Sequence, residues 1–289
     1  MKLLQLRYFY EACRHNNITR AAEELHVSQP SISNAIKELE TEFGITLFHR
    51  LNKGFSLTKE GKIFMEHAES LLTHADNISH IMEDMGHKRN MLRIGIPPMI
   101  GTFLFPKIYR GFKEKYPSVN IVTQEQGTQS LIEAIEDETL DMAIVPSNNL
   151  SGNMFHILNL TQTETVFCTA PNHKLAGEQM VTIPMIQNEP LILFHNGFFQ
   201  NDVITQLFSK YGAVPNVIHY SSQLYTMKEF IAGGIACGFL FKDIVQLVSG
   251  VAGIPLSNPI HVQISLVWKK NNYMFNDMVR FINYVKKIF

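Results

Sequence analysis

Ile18-Thr19-Arg20-Ala21-Ala22-Glu23-Glu24-Leu25-His26-Val27-Ser28-Gln29-Pro30-Ser31-Ile32-Ser33-Asn34-Ala35-Ile36-Lys37 is the stretch from which the rest of the chain is read. Ile18, Ala21, Ala22 and Leu25 fall on one side of a short helix, and the two alanines let a neighbouring helix approach closely. His26-Val27-Ser28 breaks the pattern; Ser28 suits an N-cap, and Pro30 is tolerated in a first helical turn. The next helix carries Ile32, Ile36, Leu39 and Phe43 on one face and Gln29, Ser31, Ser33, Asn34 and Lys37 on the other. Its acids, Glu38, Glu40 and Glu42, come later. Amides and hydroxyls at a helix N-terminus can read base edges in the major groove. On that polar face alone, a small bundle with a solvated face is an equal reading; the order of parts argues against it.

Upstream, Leu3, Leu6, Phe9, Tyr10 and Cys13 recur at helical spacing, and Asn16-Asn17 marks a turn. Downstream, two short apolar runs flank Leu51-Asn52-Lys53-Gly54 and predict a hairpin with Arg50 and Lys53 at its tip. Helix, short helix, tight turn, polar-faced helix and basic hairpin make a winged helix-turn-helix, whose wing can touch phosphates.

The 289 residues suggest about two domains. Apolar residues are 45% and charged residues 18%, which excludes global disorder. With 25 Lys+Arg against 26 Asp+Glu the net charge is −1, so a wholly basic nucleic-acid binder is excluded, though a local basic face is not. Cys13, Cys168 and Cys237 cannot build a disulfide framework and fit a reducing compartment. The sequence has neither a long apolar run nor a signal-peptide pattern, so a cytoplasmic protein without a membrane partner is expected.

Residues 1–61 resemble the winged helix-turn-helix of LysR-type transcriptional regulators. The resemblance is carried by Leu6, Phe9, Ile18-Thr19-Arg20-Ala21-Ala22, Leu25, Val27-Ser28-Gln29-Pro30-Ser31-Ile32-Ser33, Ile36, Leu39-Glu40, Gly44, Leu47-Phe48, Arg50 and Leu57-Thr58 with Gly61. It implies base or phosphate contacts from Gln29, Pro30, Ser31, Ser33, Asn34 and Lys37 on double-stranded DNA. It also implies backbone contacts from Arg20, Arg50 and Lys53.

From Thr58 a new helix is predicted in which Phe64, Ala68, Leu71, Ala75, Ile78, Met82 and Met85 form a heptad seam. A coiled coil between two subunits fits, and two reading helices could then meet two half-sites. A single helix packed on its own domain is the alternative. His67, His74, His80 and His87 share this segment, but seven residues span about 10.5 Å along a helix, too far to share one ion. Gly86-His87-Lys88-Arg89-Asn90 reads as a hinge.

The remainder alternates strand and helix. Leu92–Ile96, Val119–Val122 and Asp141–Val145 are predicted strands, and a helix capped by Thr102 runs to about Lys115. A second alternation includes strands at Glu164–Ala170, Leu191–Phe194, Val217–Tyr220 and His261–Trp268. This predicts parallel sheet with helices on both faces. Gly233-Gly234 with Gly238 is read as a backbone bend, since no acidic partner follows as in a nucleotide site.

The LysR resemblance continues here through Ile94-Gly95, Pro106, Phe112, Tyr116-Pro117, Leu140-Asp141-Met142-Ala143-Ile144, Pro171-Asn172-His173-Lys174-Leu175-Ala176 and Gly234-Ile235-Ala236. It implies an α/β chain of three parts: a winged helix-turn-helix (1–58), a long linker helix (59–89) and a two-lobed doubly wound effector-binding domain (90–289). Lobe one would cover about 91–161 and 266–289, and lobe two about 162–265. A small-molecule effector would sit between the lobes, and the dimer would pair into a homotetramer. Where many members place Ser or Thr after the first strand, this chain has Pro97-Pro98-Met99-Ile100, so a simple carboxylate anchor is not expected. Thr102, Thr128 and Gln129 remain as donors, and Phe194, His195 and Phe198 as the far wall; each aromatic is as readily lobe core.

A ligand-responsive transcription factor is the leading reading. A redox-sensing regulator pairing Cys168 and Cys237 is the second, but no basic neighbour in the sequence marks either as a thiolate. An enzyme is the third: no nucleophile elbow, metal-ligand pair or phosphate loop is present, so no catalytic residue, metal or cofactor is expected.

Overall fold

A computed structural model describes residues 1–50, 55–86 and 89–289; the side chain of Arg50 also lies outside the description. The chain divides into two compact units, Met1–Glu83 and Asp84–Phe289.

The first unit opens with α1 (Leu3–His15), α2 (Ile18–Glu24) and α3 (Gln29–Phe43). Asn17 caps α2 by accepting from the Thr19 and Arg20 N–H groups. Ala21 and Ala22 are buried where the helices meet, as their size requires. Ser28 caps α3, its Oγ accepting from Ser31 N at 3.3 Å, with Pro30 in the first turn. His26 takes the left-handed backbone (φ 53°) that reverses the chain between α2 and α3. Ile32, Ile36 and Leu39 are buried as expected, but Phe43 is 44% exposed. It sits at the last residue of α3 and only leans on Phe64, with ring centroids 5.9 Å apart.

β1 (Phe48–Arg50) and β2 (Phe55–Leu57) pair antiparallel, Phe48 opposite Leu57, giving the expected hairpin. Thr58 accepts from Gly61 N at 2.8 Å and starts α4 (Lys59–Met85). The expected seam on α4 divides. Phe64 and Ala68, with Met65 and Leu72, pack into the head's own core beside Phe9, because the chain turns straight from the hairpin back onto α1. Leu71, Ile78, Met82 and Met85 are about half exposed, and Ala75 is intermediate. Arg7–Asp76 (2.6 Å) and Tyr10–Glu69 (2.7 Å) also tie α1 to α4.

The second unit comprises β3 (Met91–Gly95), α5 (Pro98–Phe103), α6 (Phe105–Lys115), β4 (Asn120–Gln124), α7 (Thr128–Glu136), β5 (Met142–Pro146) and β6 (Phe155–Thr169). There follow α8 (Ile183–Ile186), β7 (Leu191–Phe194), α9 (Phe199–Lys210), β8 (Val217–Ser221), α10 (Leu224–Ala232) and β9 (Gly238–Phe241). The unit ends with α11 (Lys242–Val245), β10 (Ala252–Ile254), β11 (Ile260–Lys269) and α12 (Asn276–Ile288). The helix expected from Thr102 to Lys115 is two helices. Pro98 starts the first one earlier, and Pro106 removes an N–H and disfavours a helical residue before it, breaking the run at Leu104. Thr102 is therefore no N-cap; its Oγ1 donates back to Pro98 O at 2.9 Å.

The sheet is mixed rather than wholly parallel. Among the described residues its order is β10-β6-β11-β5-β3-β4, with β9 also on β6. β3 pairs parallel with β4 and β5, and β7 with β8, while β11 and β6 run antiparallel to each other along their whole shared length. β6 begins at Phe155, well before the expected Glu164; the polar run Thr161-Gln162-Thr163 interrupts the apolar pattern there, and pairing with β11 carries the strand through it. One end of the β6–β11 ribbon joins β5 and the other β9 and β10, with a register shift between Ile264 and Ser265. Two cores follow: Leu131, Ile135, Val145 and Val267 at one end, and Phe167, Leu193, Phe208 and Phe239 at the other. Gly234 is in the left-handed region (φ 68°), the bend expected there.

Part of the expected hinge is firmly held. Arg89 is buried, donates to Asp141 Oδ2 at 2.8 Å and stacks over Phe275 at 3.6 Å. Asp141 also accepts from Arg93 N, Nε and Nη2. Asp84 accepts from Tyr273 Oη and Asn276 N, holding the start of α12. His87 and Lys88 lie outside the described residues.

Candidate functional site

The reading face of α3 is open. Gln29, Pro30, Ser31, Asn34 and Lys37 are exposed, Ser33 is half-buried, and Arg20 is exposed on α2. The acids that follow them are occupied elsewhere. Glu38 accepts from Gln5 Nε2 at 2.7 Å, Glu42 binds the N-terminal ammonium at 2.6 Å, and Glu40 Oε1 accepts from Leu47 N at 2.7 Å. Glu40 thereby ties α3 to the strand entry, and the first half of α3 is left with amides, hydroxyls and one lysine. Such a surface donates and accepts toward base edges without repelling phosphates. Lys53 and the Arg50 side chain lie outside the described residues.

In the second unit, the ends of β3, β5, β7 and β9 converge, as ligand sites in such sheets do. Pro98, Met99, Thr128, Phe194 and Phe198 meet around a small pocket of about 20 Å3, together with Pro97, Pro146, Phe199, Gln200 and Phe241. A wider cleft of about 370 Å3 adjoins it, lined by Thr128 and Gln129 and by Glu133, Asn149, Gly197 and Asp202. Phe194 and Phe198 stack at 4.9 Å, and Asn201 Nδ2 donates to Phe194 O at 2.6 Å, holding the turn into α9. Two backbone approaches close the cleft. Gln129 N donates to Gly197 O at 3.1 Å, and a Cβ on Gly127 would meet that oxygen at 2.6 Å. Across the pocket, Phe241 N donates to Met99 Sδ at 3.4 Å.

Three expected residues fall outside both spaces. Ile100 is fully buried, because the helix begun at Pro98 turns it into the core. Thr102 spends its hydroxyl on its own helix, and His195 is exposed and lies over Tyr220 with centroids 6.0 Å apart. Pro146 and Phe241 were readable as strand C-terminal ends; Gln200, in a run that reads only as a helix start, carried no such signal.

The thiols are free. Burial pushes Cys168 and Cys237 up to about 12, which works against thiolate reactivity, although His173 Nε2 lies 3.8 Å from Cys237 Sγ. Among the described residues no helix is long and apolar enough to cross a membrane.

An exposed polar-faced helix in a helix-turn-helix and a pocket at the strand ends of an α/β unit define a DNA-binding regulator joined to a small-molecule domain. Residues 3–62 match the bacterial regulatory helix-turn-helix proteins of the lysR family, and residues 86–289 match the LysR substrate binding domain. The chain belongs to the LysR family of DNA-binding transcriptional regulators, which are not enzymes. It is 32% identical over 280 residues to the uncharacterized HTH-type transcriptional regulator YwbI of Bacillus subtilis strain 168, covering 95% of this chain and 92% of that protein. It is 30% identical over 247 residues to the transcriptional dual regulator GltC of the same organism, covering 83% and 80%. The fold is shared with full-length CbnR in complex with its target DNA, at a TM-score of 0.74 and 20% identity over 100% of both chains.

Proposed function

We propose that Gln29, Pro30, Ser31, Ser33, Asn34 and Lys37 contact the operator, with Arg20, Arg50 and Lys53 on the backbone, and that an effector in the cleft alters the output. The observation that carries this reading is the open polar half of α3, with its later acids engaged elsewhere. Action on DNA as a transcriptional regulator supports a cytoplasmic location. The functional parts are residues 1–58, 59–89 and 90–289, with lobe one at about 91–161 and 266–289 and lobe two at about 162–265. The register shift at Ile264 supports that change of lobe.

A homodimer, and a homotetramer through paired dimers, suits two half-sites. Exposed Leu71, Ile78, Met82 and Met85 support it, as does the groove of about 320 Å3 lined by Leu3, Leu6, Leu71, Ala75 and Ile78. Phe64 and Ala68 then support the helix from within the head rather than crossing to the partner.

Fluorescence anisotropy tests this with the duplex upstream of the protein's own gene and a random duplex, across a salt series. Tighter binding upstream with a steep salt slope is expected. Equal binding to both duplexes under every condition would defeat the reading of that duplex as an operator.

A further inference from the structure

We propose that the cleft takes a small uncharged molecule presenting a hydrogen-bond donor and acceptor side by side, as a carboxamide or lactam does, and that Gln200 reads that pair. This rests on the cleft being the effector site.

Gln200 stands in the first turn of α9, lines the pocket and is 2% exposed. Neither its Nε2 nor its Oε1 has a hydrogen-bond partner. Buried polar groups are nearly always paired, and an orphaned amide costs stability that a ligand can return. The surrounding Pro97, Met99, Pro146, Phe198 and Phe241 offer apolar surface and leave the amide the pocket's main polar feature.

The chemistry of the walls narrows the ligand. No Lys, Arg or His lines either space, and the charged residues in the wider one are the acids Glu133 and Asp202. A carboxylate would accept from Nε2 but set its charge against Oε1 and both acids. The helix ends do not reverse this. Asp202 already lies in the first turn of α9, and Gln129 N at the start of α7 is spent on Gly197 O. A hydrocarbon would leave both amide atoms unpaired. A second amide satisfies both at once, and the neighbouring cleft of about 370 Å3, which shares Thr128, Pro146 and Phe199 with the pocket, has room for a body of about one ring.

The experiment compares benzamide, benzoate and toluene by calorimetric titration of the full-length protein. Benzamide should bind saturably and about tenfold or more tighter than the other two. Gln200→Leu should erase that preference while melting no lower than the parent, because an unpaired buried amide is removed; Gln200→Met, closer in shape, serves if the leucine variant does not fold. Benzoate binding as tightly as benzamide, no benzamide binding, or a preference surviving in the Gln200 variant overturns the inference. Thr128→Trp, which fills the cleft, separates the two levels. If it abolishes whatever binds, the cleft stands and only the ligand class falls; if binding persists, the cleft reading falls with it.

Discussion

Gln29 and Gln200 carry the same side chain in the first turn of a helix and meet opposite surroundings. Gln29 stands in solvent on α3, beside the capping Ser28, and water satisfies its amide until another surface replaces it. Gln200 is enclosed on α9 with both amide atoms unpaired. The first belongs to the proposed DNA interface, which would trade water for a partner at little cost. The second lines the proposed ligand pocket, where a partner for the buried amide would add stability. In the proposed reading, the two units recognise by these two different means.

The largest effect expected from separating them is on the second unit alone. Asp141 is the counter-charge of buried Arg89, whose Nε and Nη1 already lack partners. Asp141→Ala should cost about 3–5 kcal/mol, because a guanidinium is left buried and uncompensated. The single tryptophan, Trp268, lies in β11, so its emission in a denaturant series reads that loss. An unchanged midpoint would mean that this ion network does not hold the unit together.

On the head, Gln29→Ala should cost roughly 1–3 kcal/mol on the operator and little on random DNA, whereas Lys37→Ala should weaken both and reduce the salt slope by about one. Anisotropy separates the two; equal losses from Gln29→Ala on both duplexes would remove it from base reading. A smaller effect follows from Ser28→Ala, about 1 kcal/mol through the lost cap. Hydrogen exchange at the first turn of α3 should quicken, without change in the second unit.

The smallest effect concerns pH. Burial raises the Asp277 carboxyl above its ordinary value, against the opposing pull of Arg280 and Arg89. A carboxyl whose folded pKa is raised binds its proton more tightly when folded. Its contribution is therefore lost as pH climbs from the ordinary carboxylate range through the raised value. Asp277→Asn should flatten the stability profile of the second unit in that window, read by thermal melts across pH. A profile that keeps its slope would assign the dependence to another group.

The head was legible because its determinants are local. Ser28, Pro30, the alanine pair and the alternation along α3 act within a few residues of one another. The departures there, with Phe43 exposed and Phe64 and Ala68 packed within the head, arose where a helix face had more than one neighbour to choose from. In the second unit, proline chemistry at Pro98 and Pro106 was present in the sequence and decided the helix break, yet the polar run Thr161-Gln162-Thr163 of β6 needed β11 beside it to become strand.

By itself, then, the sequence determined the winged head, the polar face of α3, most of the order of strands and helices and the apolar Pro97-Pro98-Met99 stretch after β3. Those follow from spacing and from residues that constrain their immediate neighbours. Only the tertiary structure decided the antiparallel ribbon of β6 and β11, the capture of Phe64 and Ala68 by the head, and the enclosure of Gln200. Each depends on segments far apart in the chain, and whether a polar atom is paired is set by what folding brings next to it.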